Sequence, residues 1–264
     1  MGRIGQDEGR RLFGLDTAAY ERGRPGHAEE VYDLLRERCG LRPGAKVLEI
    51  GPGTGQASAR LLELGASPLV GLEPDPALAG FLRDRLGERV RVRETTLEDA
   101  DLEDDFDLAA AASSFHWVDE DVGLARIRDA LLPGGWVALW WTAFGDGNRP
   151  DPFRDATDPL TEALPRGPSE VKDRRPFAHD AENRIAALAR AGFAEILPRR
   201  IEWWHTWDTH GIRGLFGSFS STLSLAPRER AAFLDSIAEI AERDFGGRVT
   251  KPVVTALYTA RKPL

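Results

Sequence analysis

The sequence predicts an α/β fold, with a mostly parallel sheet carrying helices on both faces. Between Lys46 and Trp141, short apolar runs alternate with amphipathic stretches, the pattern of successive βαβ units. Those runs are nearly all apolar rather than alternating, as strands covered on both faces must be. The first run passes into Gly51-Pro52-Gly53-Thr54-Gly55, and a helical pattern follows at once.

In chain order, Met1–Arg10 is charged and Gly-rich and lacks the apolar core of a signal peptide. Gln6 stands where a myristoylation signal needs Ser or Thr. A helix is expected over His27–Cys39, beside the first strand. Strands follow at Lys46–Ile50, Leu69–Leu72, Val90–Glu94, Phe106–Ala112 and Trp136–Trp141. Helices at Gln56–Leu64, Pro76–Leu86 and Val122–Leu131 lie between them. Gly65 and Pro133-Gly134-Gly135 punctuate the first and last of these. Thr142–Pro176 carries six prolines amid Asp and Arg and reads as one long loop. Helical periodicity returns at Asp180–Ala191, with Asp180 as N-cap and Gly192 as terminator. Glu195–Trp204 and Val253–Ala260 complete the strands, with helices near Gly211–Phe216 and Pro227–Phe245 between them. Residues 1–141 thus form a ligand-binding core. Residues 142–264 complete the sheet and add a Pro-rich and helical cap, the whole expected as one compact domain.

Composition narrows the function. The 264 residues hold 35 Lys+Arg against 43 Asp+Glu, a formal charge of -8 that argues against a general nucleic-acid binder. One cysteine, Cys39, excludes an internal disulfide and a Cys-based zinc cluster, and no metal site is expected. No apolar run approaches the ~18 residues of a membrane span. The expectation is a soluble, cytoplasmic protein.

Three glycines at alternate positions after a strand permit positive φ and let a ligand approach bare backbone. In open α/β sheets ligands sit outside the carboxyl ends of the strands, where strand order reverses. The second strand ends at Leu72-Glu73-Pro74, and Glu73 stands 22 residues after Gly51. A carboxylate there can accept hydrogen bonds from both hydroxyls of a ribose. The turn is neither the dinucleotide fingerprint G-x-G-x-x-G nor a P-loop, because no Gly-Lys-Ser/Thr follows.

Glu49-Ile50-Gly51-Pro52-Gly53-Thr54-Gly55 resembles motif I of class I S-adenosylmethionine-dependent methyltransferases. Glu73 matches their ribose-binding acid. Thr95-Thr96-Leu97-Glu98-Asp99 is similar to the segment flanking the adenine, although Thr96 stands where Asp or Asn is common. Phe106–Ala109 with Ser113-Ser114-Phe115-His116-Trp117-Val118 resembles the fourth strand and its loop. Leu131–Gly135 is similar to the turn before strand five. Tyr20, Arg24 and Pro25, with Thr255–Arg261, resemble elements of the small-molecule branch that includes the trans-aconitate-type enzymes. The resemblance implies a Rossmann-like, seven-stranded sheet with a C-terminal cap. It implies S-adenosylmethionine as cofactor, S-adenosylhomocysteine as product, and Tyr20, Arg24, Glu49, Gly51, Pro52, Gly53, Gly55, Glu73, Pro74, Thr96, Leu97, Glu98, Ala112, Ser113, Phe115 and His116 as the residues around it.

The sulfonium of such a cofactor is already activated, so the protein's task is positioning in a dry pocket. A general base is needed only if the acceptor must lose a proton. His116, His205 and His210 are the candidates, while His27 and His179 read as caps or surface residues. Trp203, Trp204 and Trp207, with Phe216 and Phe219, either fasten the cap to the sheet or line an apolar acceptor pocket. Arg199, Arg200 and Arg213 form a solvated face or bind an acidic acceptor. The absence of an Asn/Asp-Pro-Pro-aromatic motif after strand four also disfavours nucleic acid. The expected activity is methyl transfer to a small molecule, at oxygen. The rivals are a fold member that binds the cofactor without methylating, such as a cyclase, and a non-catalytic Rossmann-like protein. Acceptor identity and oligomeric state are not legible.

Overall fold

The computed structural model describes residues 21, 23–102, 105–164 and 177–264. Seven strands form one sheet: β1 (Ala45–Ile50), β2 (Ala66–Leu72), β3 (Val90–Arg93), β4 (Phe106–Ala112), β5 (Leu131–Ala143), β6 (Ala194–Asp208) and β7 (Arg248–Arg261), in the order β3-β2-β1-β4-β5-β7-β6. The β1·β2, β2·β3, β1·β4 and β4·β5 pairs are parallel. From β1 the chain steps outward through β2 and β3, then returns to lay β4 on the other flank of β1. That reversal places the topological switch point at the carboxyl end of β1.

The helices obey local chemistry. α1 (Glu29–Glu37) precedes β1, and α2 (Gln56–Glu63) starts from Gly55 in the left-handed region at φ 83°. α3 (Pro76–Leu86) has Pro76 in its first turn, and the Asp75 carboxylate accepts the Ala77 and Leu78 N–H groups. α4 (Glu120–Ala130) is capped by Asp119, with Glu120 and Asp121 facing the positive end of its dipole. α5 (Pro152–Thr161), α6 (Ala181–Arg190) and α7 (Thr209–Gly217) are capped by Asp151, Asp180 and Asp208. A single turn, α8 (Ser220–Leu223), precedes α9 (Pro227–Phe245), which ends on Gly246 at φ 60°.

Two expectations need correction. Thr142–Pro176 is not wholly loop, because α5 forms inside it with Pro159 in its interior. Capping by Asp151 and burial of Phe153 and Thr157 outweigh the one N–H that Pro159 lacks. Residues 165–176 lie outside the described set. On α1, Tyr32 meets Trp140 of β5 edge-on at 6.4 Å, and the Arg38 guanidinium lies 4.8 Å over Trp136. Finally, His27 is no cap. It shares a hydrogen bond with Thr142 Oγ1 at 3.3 Å and stands edge-on to Trp140.

The described residues divide into two compact units. The first, the turn unit, comprises 26–102, 105–142, 177–201 and 255–264. Its core runs from Leu48, Ile50 and Leu72 through Phe106, Phe115 and Ile127 to Leu139, Trp141 and Tyr258. The second, the insert unit, comprises 21, 23–25, 143–164 and 202–254. Phe153, Trp207, Ile212, Leu215, Phe216, Ile237 and Val253 form its separate core.

Candidate functional site

The glycine turn closes on itself and on its neighbours. Gly51 N–H donates to Leu72 O and Gly55 N–H to Pro52 O, both at 2.9 Å, while Arg85 Nη1 donates to Thr54 O. All three glycines have positive φ, at 62°, 57° and 83°. Their surroundings differ. A Cβ on Gly51 would stand 2.6 Å from Ser114 Cβ, and one on Gly55 would stand 2.4 Å from Leu82 Cδ1. A Cβ on Gly53 would meet nothing within 4 Å. Gly51 and Gly55 are therefore glycine for packing, whereas Gly53 offers bare backbone to open space.

Glu73 stands against that open face. It is only 5% exposed; its Oε2 accepts the Gly53 N–H at 2.9 Å and its Oε1 the Asp75 N–H at 3.1 Å. Burial raises its pKa, opposed by these two hydrogen bonds. Each oxygen keeps a lone pair, so the carboxylate can still accept from a diol. Glu49, paired across the β1·β2 ladder with Gly71, is 0% exposed. Its Oε2 accepts from Ser58 Oγ at 2.6 Å, whereas its Oε1 is buried without a hydrogen-bond partner among the described residues. Burial, partly offset by Ser58 and reinforced by Glu73, pushes this carboxyl up to about 7.

Past β3, Thr96 Oγ1 donates to Asp99 Oδ2 and accepts the Asp99 N–H, closing a small turn. Leu97 is buried in the core beneath it. Glu98 Oε1 accepts the Asp119 N–H at 3.2 Å, and Glu98 Oε2 is buried without a partner. Past β4, Ala112 leads into Ser113, a non-glycine residue at φ 56°. Such a conformation costs roughly 1–2 kcal/mol. The Ser113 N–H is fixed on Trp140 O at 2.7 Å, and Ser114 Oγ is bonded to Ile50 O. Phe115 is fully buried, opening a short 3₁₀ turn through Trp117. Trp141 Nε1 donates to His116 Nδ1 at 3.0 Å. An indole only donates, so Nδ1 accepts and neutral His116 carries its proton on Nε2.

These contacts gather Glu49, Gly51, Pro52, Gly53, Gly55, Glu73, Ala112, Ser113, Phe115 and His116 at the carboxyl ends of β1, β2 and β4. Pro74 is exposed beyond Glu73, and Glu98 is tied to the N-terminus of α4. Tyr20 lies outside the described residues. Arg24 belongs to the insert unit, where Nε and Nη2 donate to Ser218 Oγ and O, and its guanidinium lies over Phe144 and Phe219. His205 and His210 belong to the insert unit too. Strand alternation sets His205 between Trp203 and Trp207 on one face, and burial lowers its pKa. Trp204, on the other face, is 53% exposed beneath Arg149. His210 is exposed near the start of α7, and Arg213 pairs with Asp235. Ser58, Ser114 and Trp141 were missed. For Ser58 a signal existed: a lone hydroxyl on the buried face of α2, next to Ala57 and Leu61.

Comparison with known proteins places this arrangement. Residues 48–139 match the family model described as a methyltransferase domain. The chain is 28% identical over 229 residues to an uncharacterized methyltransferase of Mycobacterium tuberculosis, with 86% of this chain and 84% of that one covered. It is 24% identical over 257 residues to an uncharacterized methyltransferase of Schizosaccharomyces pombe, with coverage of 96% and 97%. Among solved structures, the cyclase SpnF matches with a TM-score of 0.60 and 19% identity, over 100% of this chain and 99% of that one. Phosphoethanolamine N-methyltransferase 2 of Haemonchus contortus, solved with S-adenosylhomocysteine, matches with a TM-score of 0.60 and 14% identity over 99% of this chain. This chain spans 61% of that longer protein. At these identities the structural matches speak for the fold alone.

The fold and the glycine turn are similar to those of class I S-adenosylmethionine-dependent methyltransferases. The chain carries a methyltransferase domain over residues 48–139, its relatives are methyltransferases by name, and S-adenosylmethionine is the cofactor such a domain takes. The residues fit the group: open space at Gly53, a buried carboxylate beside it, and an unpartnered buried oxygen on Glu49.

Proposed function

We propose that the chain transfers a methyl group to an oxygen atom of a small organic acceptor. The observation that carries the cofactor half of this reading is the buried Glu73 carboxylate, tied to the Gly53 N–H beside open space. Glu73 would take the ribose hydroxyls, the glycine turn would pass beneath the methionine part, and Leu97 with Glu98 would frame the adenine. Pro52 stiffens the turn and packs toward Gly71. When bound, S-adenosylmethionine supplies an activated methyl group. The chain's own residues then have to exclude water and orient the acceptor.

With Nδ1 engaged by Trp141, the neutral His116 ring is an N–H donor at Nε2 rather than a base, which suits an acceptor that needs no deprotonation, such as a carboxylate oxygen. A small acceptor is supported by the net charge of -8, which repels polyanions.

Thermal melts with S-adenosylmethionine, S-adenosylhomocysteine and NAD test the cofactor half. Ligand at about 100 times Kd adds about 2.7 kcal/mol, or about 5–10 °C for a chain of this size. The adenosyl compounds should shift the melt and NAD should not. Glu73→Ala should weaken S-adenosylhomocysteine binding about 10- to 100-fold, the range for a lost charged hydrogen-bond partner. Unchanged affinity would sink the ribose role. For the acceptor half, S-adenosylhomocysteine must accumulate in step with acceptor consumption. Acceptor conversion without it would favour a non-methylating fold member such as a cyclase.

A further inference from the structure

Two carboxylates are buried at the ends of β1 and β2, and among the described residues neither is ion-paired, the guanidinium that reaches the turn, that of Arg85, donating to Thr54 O. Glu49 is met by Ser58 of α2, by Glu73 past β2, and by Tyr32 of α1, whose own titration feels the Glu49 charge. Across the β1·β4 ladder its neighbour is Ala110. Arg60 lies against the Tyr32 ring, paired with Glu29 and Glu63. His27, just before α1, is turned to Thr142 and Trp140. An ionised carboxylate with one buried oxygen unpartnered and a second carboxylate nearby is expensive to hold. The inexpensive solution is to keep a proton.

We propose that Glu49 is protonated in the ligand-free protein and ionises when the ammonium carried by both the cofactor and its product arrives, so that binding of either releases a proton. The inference rests on the reading that the glycine turn and Glu73 hold the cofactor. The O–H bond of the Glu49 carboxyl breaks, its electron pair stays on the carboxylate, and the proton passes to buffer. The unpartnered Oε1 then gains the counter-charge that the free protein lacks. Ser58 keeps Oε2 in place through the change, since a hydroxyl donates to either form of the acid. The upward shift of the carboxyl to about 7 sets the window, just below neutrality.

Titration calorimetry of S-adenosylhomocysteine at pH 6.0, in two buffers of different ionisation enthalpy, counts the protons directly. The ligand's ammonium is fully charged at that pH and contributes none. Wild type should release close to one proton per ligand bound, and its affinity should be about fivefold tighter at pH 7 than at pH 6. Glu49→Gln, shown to be folded by circular dichroism, should release none and lose the pH dependence. Wild-type binding with the same heat in both buffers overturns the linkage while leaving the site reading intact. Release undiminished in Glu49→Gln overturns the assignment to this residue. No binding by wild type overturns the site reading and the proposal with it.

Discussion

The two units of the molecule bury charge in opposite ways. In the insert unit, Lys251 Nζ meets Asp151 Oδ2 at 2.6 Å, with the two side chains 4% and 0% exposed, and Phe153 lies beneath the ammonium. Asp151 also accepts the Arg154 N–H, capping α5. That pair is closed: each charge has its counter-charge and the carboxylate has a second donor. In the turn unit, Glu49 and Glu73 are as deeply buried, yet Glu49 leaves an oxygen unpartnered. A closed pair holds an element in place. An open one at the end of a sheet is what the proposed cofactor site calls for, since buried groups left without a partner concentrate at functional sites.

Breaking the closed pair should have the largest effect. Lys251→Met leaves Asp151 as an uncompensated buried carboxylate, and losses of that kind run at about 3–5 kcal/mol. Denaturant unfolding monitored by tryptophan fluorescence measures it. A loss below about 1 kcal/mol would show that the pair is as solvated as a surface one, and the contrast between the units would fail.

The open carboxylate should behave in the reverse sense, its removal helping the ligand-free protein. The Glu49 pKa is higher in the folded chain than in the unfolded one, so between pH 4.5 and 7 the native state binds more protons. Stability is therefore lost as pH rises through that window. Two to three pH units correspond to about 3 kcal/mol at 1.36 kcal/mol per unit. Burial raises the Glu73 pKa as well, in the same direction. Urea unfolding of ligand-free protein at pH 5 and pH 8 should show the loss in wild type, and Glu49→Gln should recover most of it. A wild type that gains stability over this range would place Glu49 in the ordinary, counter-charged class of buried acids.

How much of this was legible follows the same division. β1, β2, β4 and β5 announce themselves because burial forces largely apolar runs, whereas β3 at the sheet edge alternates Val with exposed Arg; Gly51, Gly53, Gly55 and Glu73 stand out because few other residues tolerate positive φ or serve a diol. The distinction among the glycines was not legible: Ser114 and Leu82, which crowd Gly51 and Gly55, are 63 and 27 residues away in sequence. The proton position on His116 depends on Trp141 in the next strand. α5 was hidden by its prolines, since only its burial against the aromatic core overrides them. The interleaving of the units, which change over within β5, β6 and β7, leaves no mark in composition.

The smallest effect on stability separates packing from binding within the turn itself. Gly53→Ala places a methyl group in open space, so its cost is the left-handed backbone alone, about 1 kcal/mol. Gly51→Ala carries the same backbone cost and adds a contact 2.6 Å from Ser114 Cβ, which moves only if its bond to Ile50 O is disturbed. Gly53→Ala should therefore unfold nearly as wild type does while its affinity for S-adenosylhomocysteine falls at least tenfold, because the methyl group occupies the face that Glu73 borders. Gly51→Ala should lose stability first and affinity only as a consequence. Equal losses of stability in the two variants would mean that the space above Gly53 is filled in solution by the protein itself. Glu73 would then be a second buried acid serving the fold, and the opening that distinguishes this unit from the insert would have to be sought elsewhere.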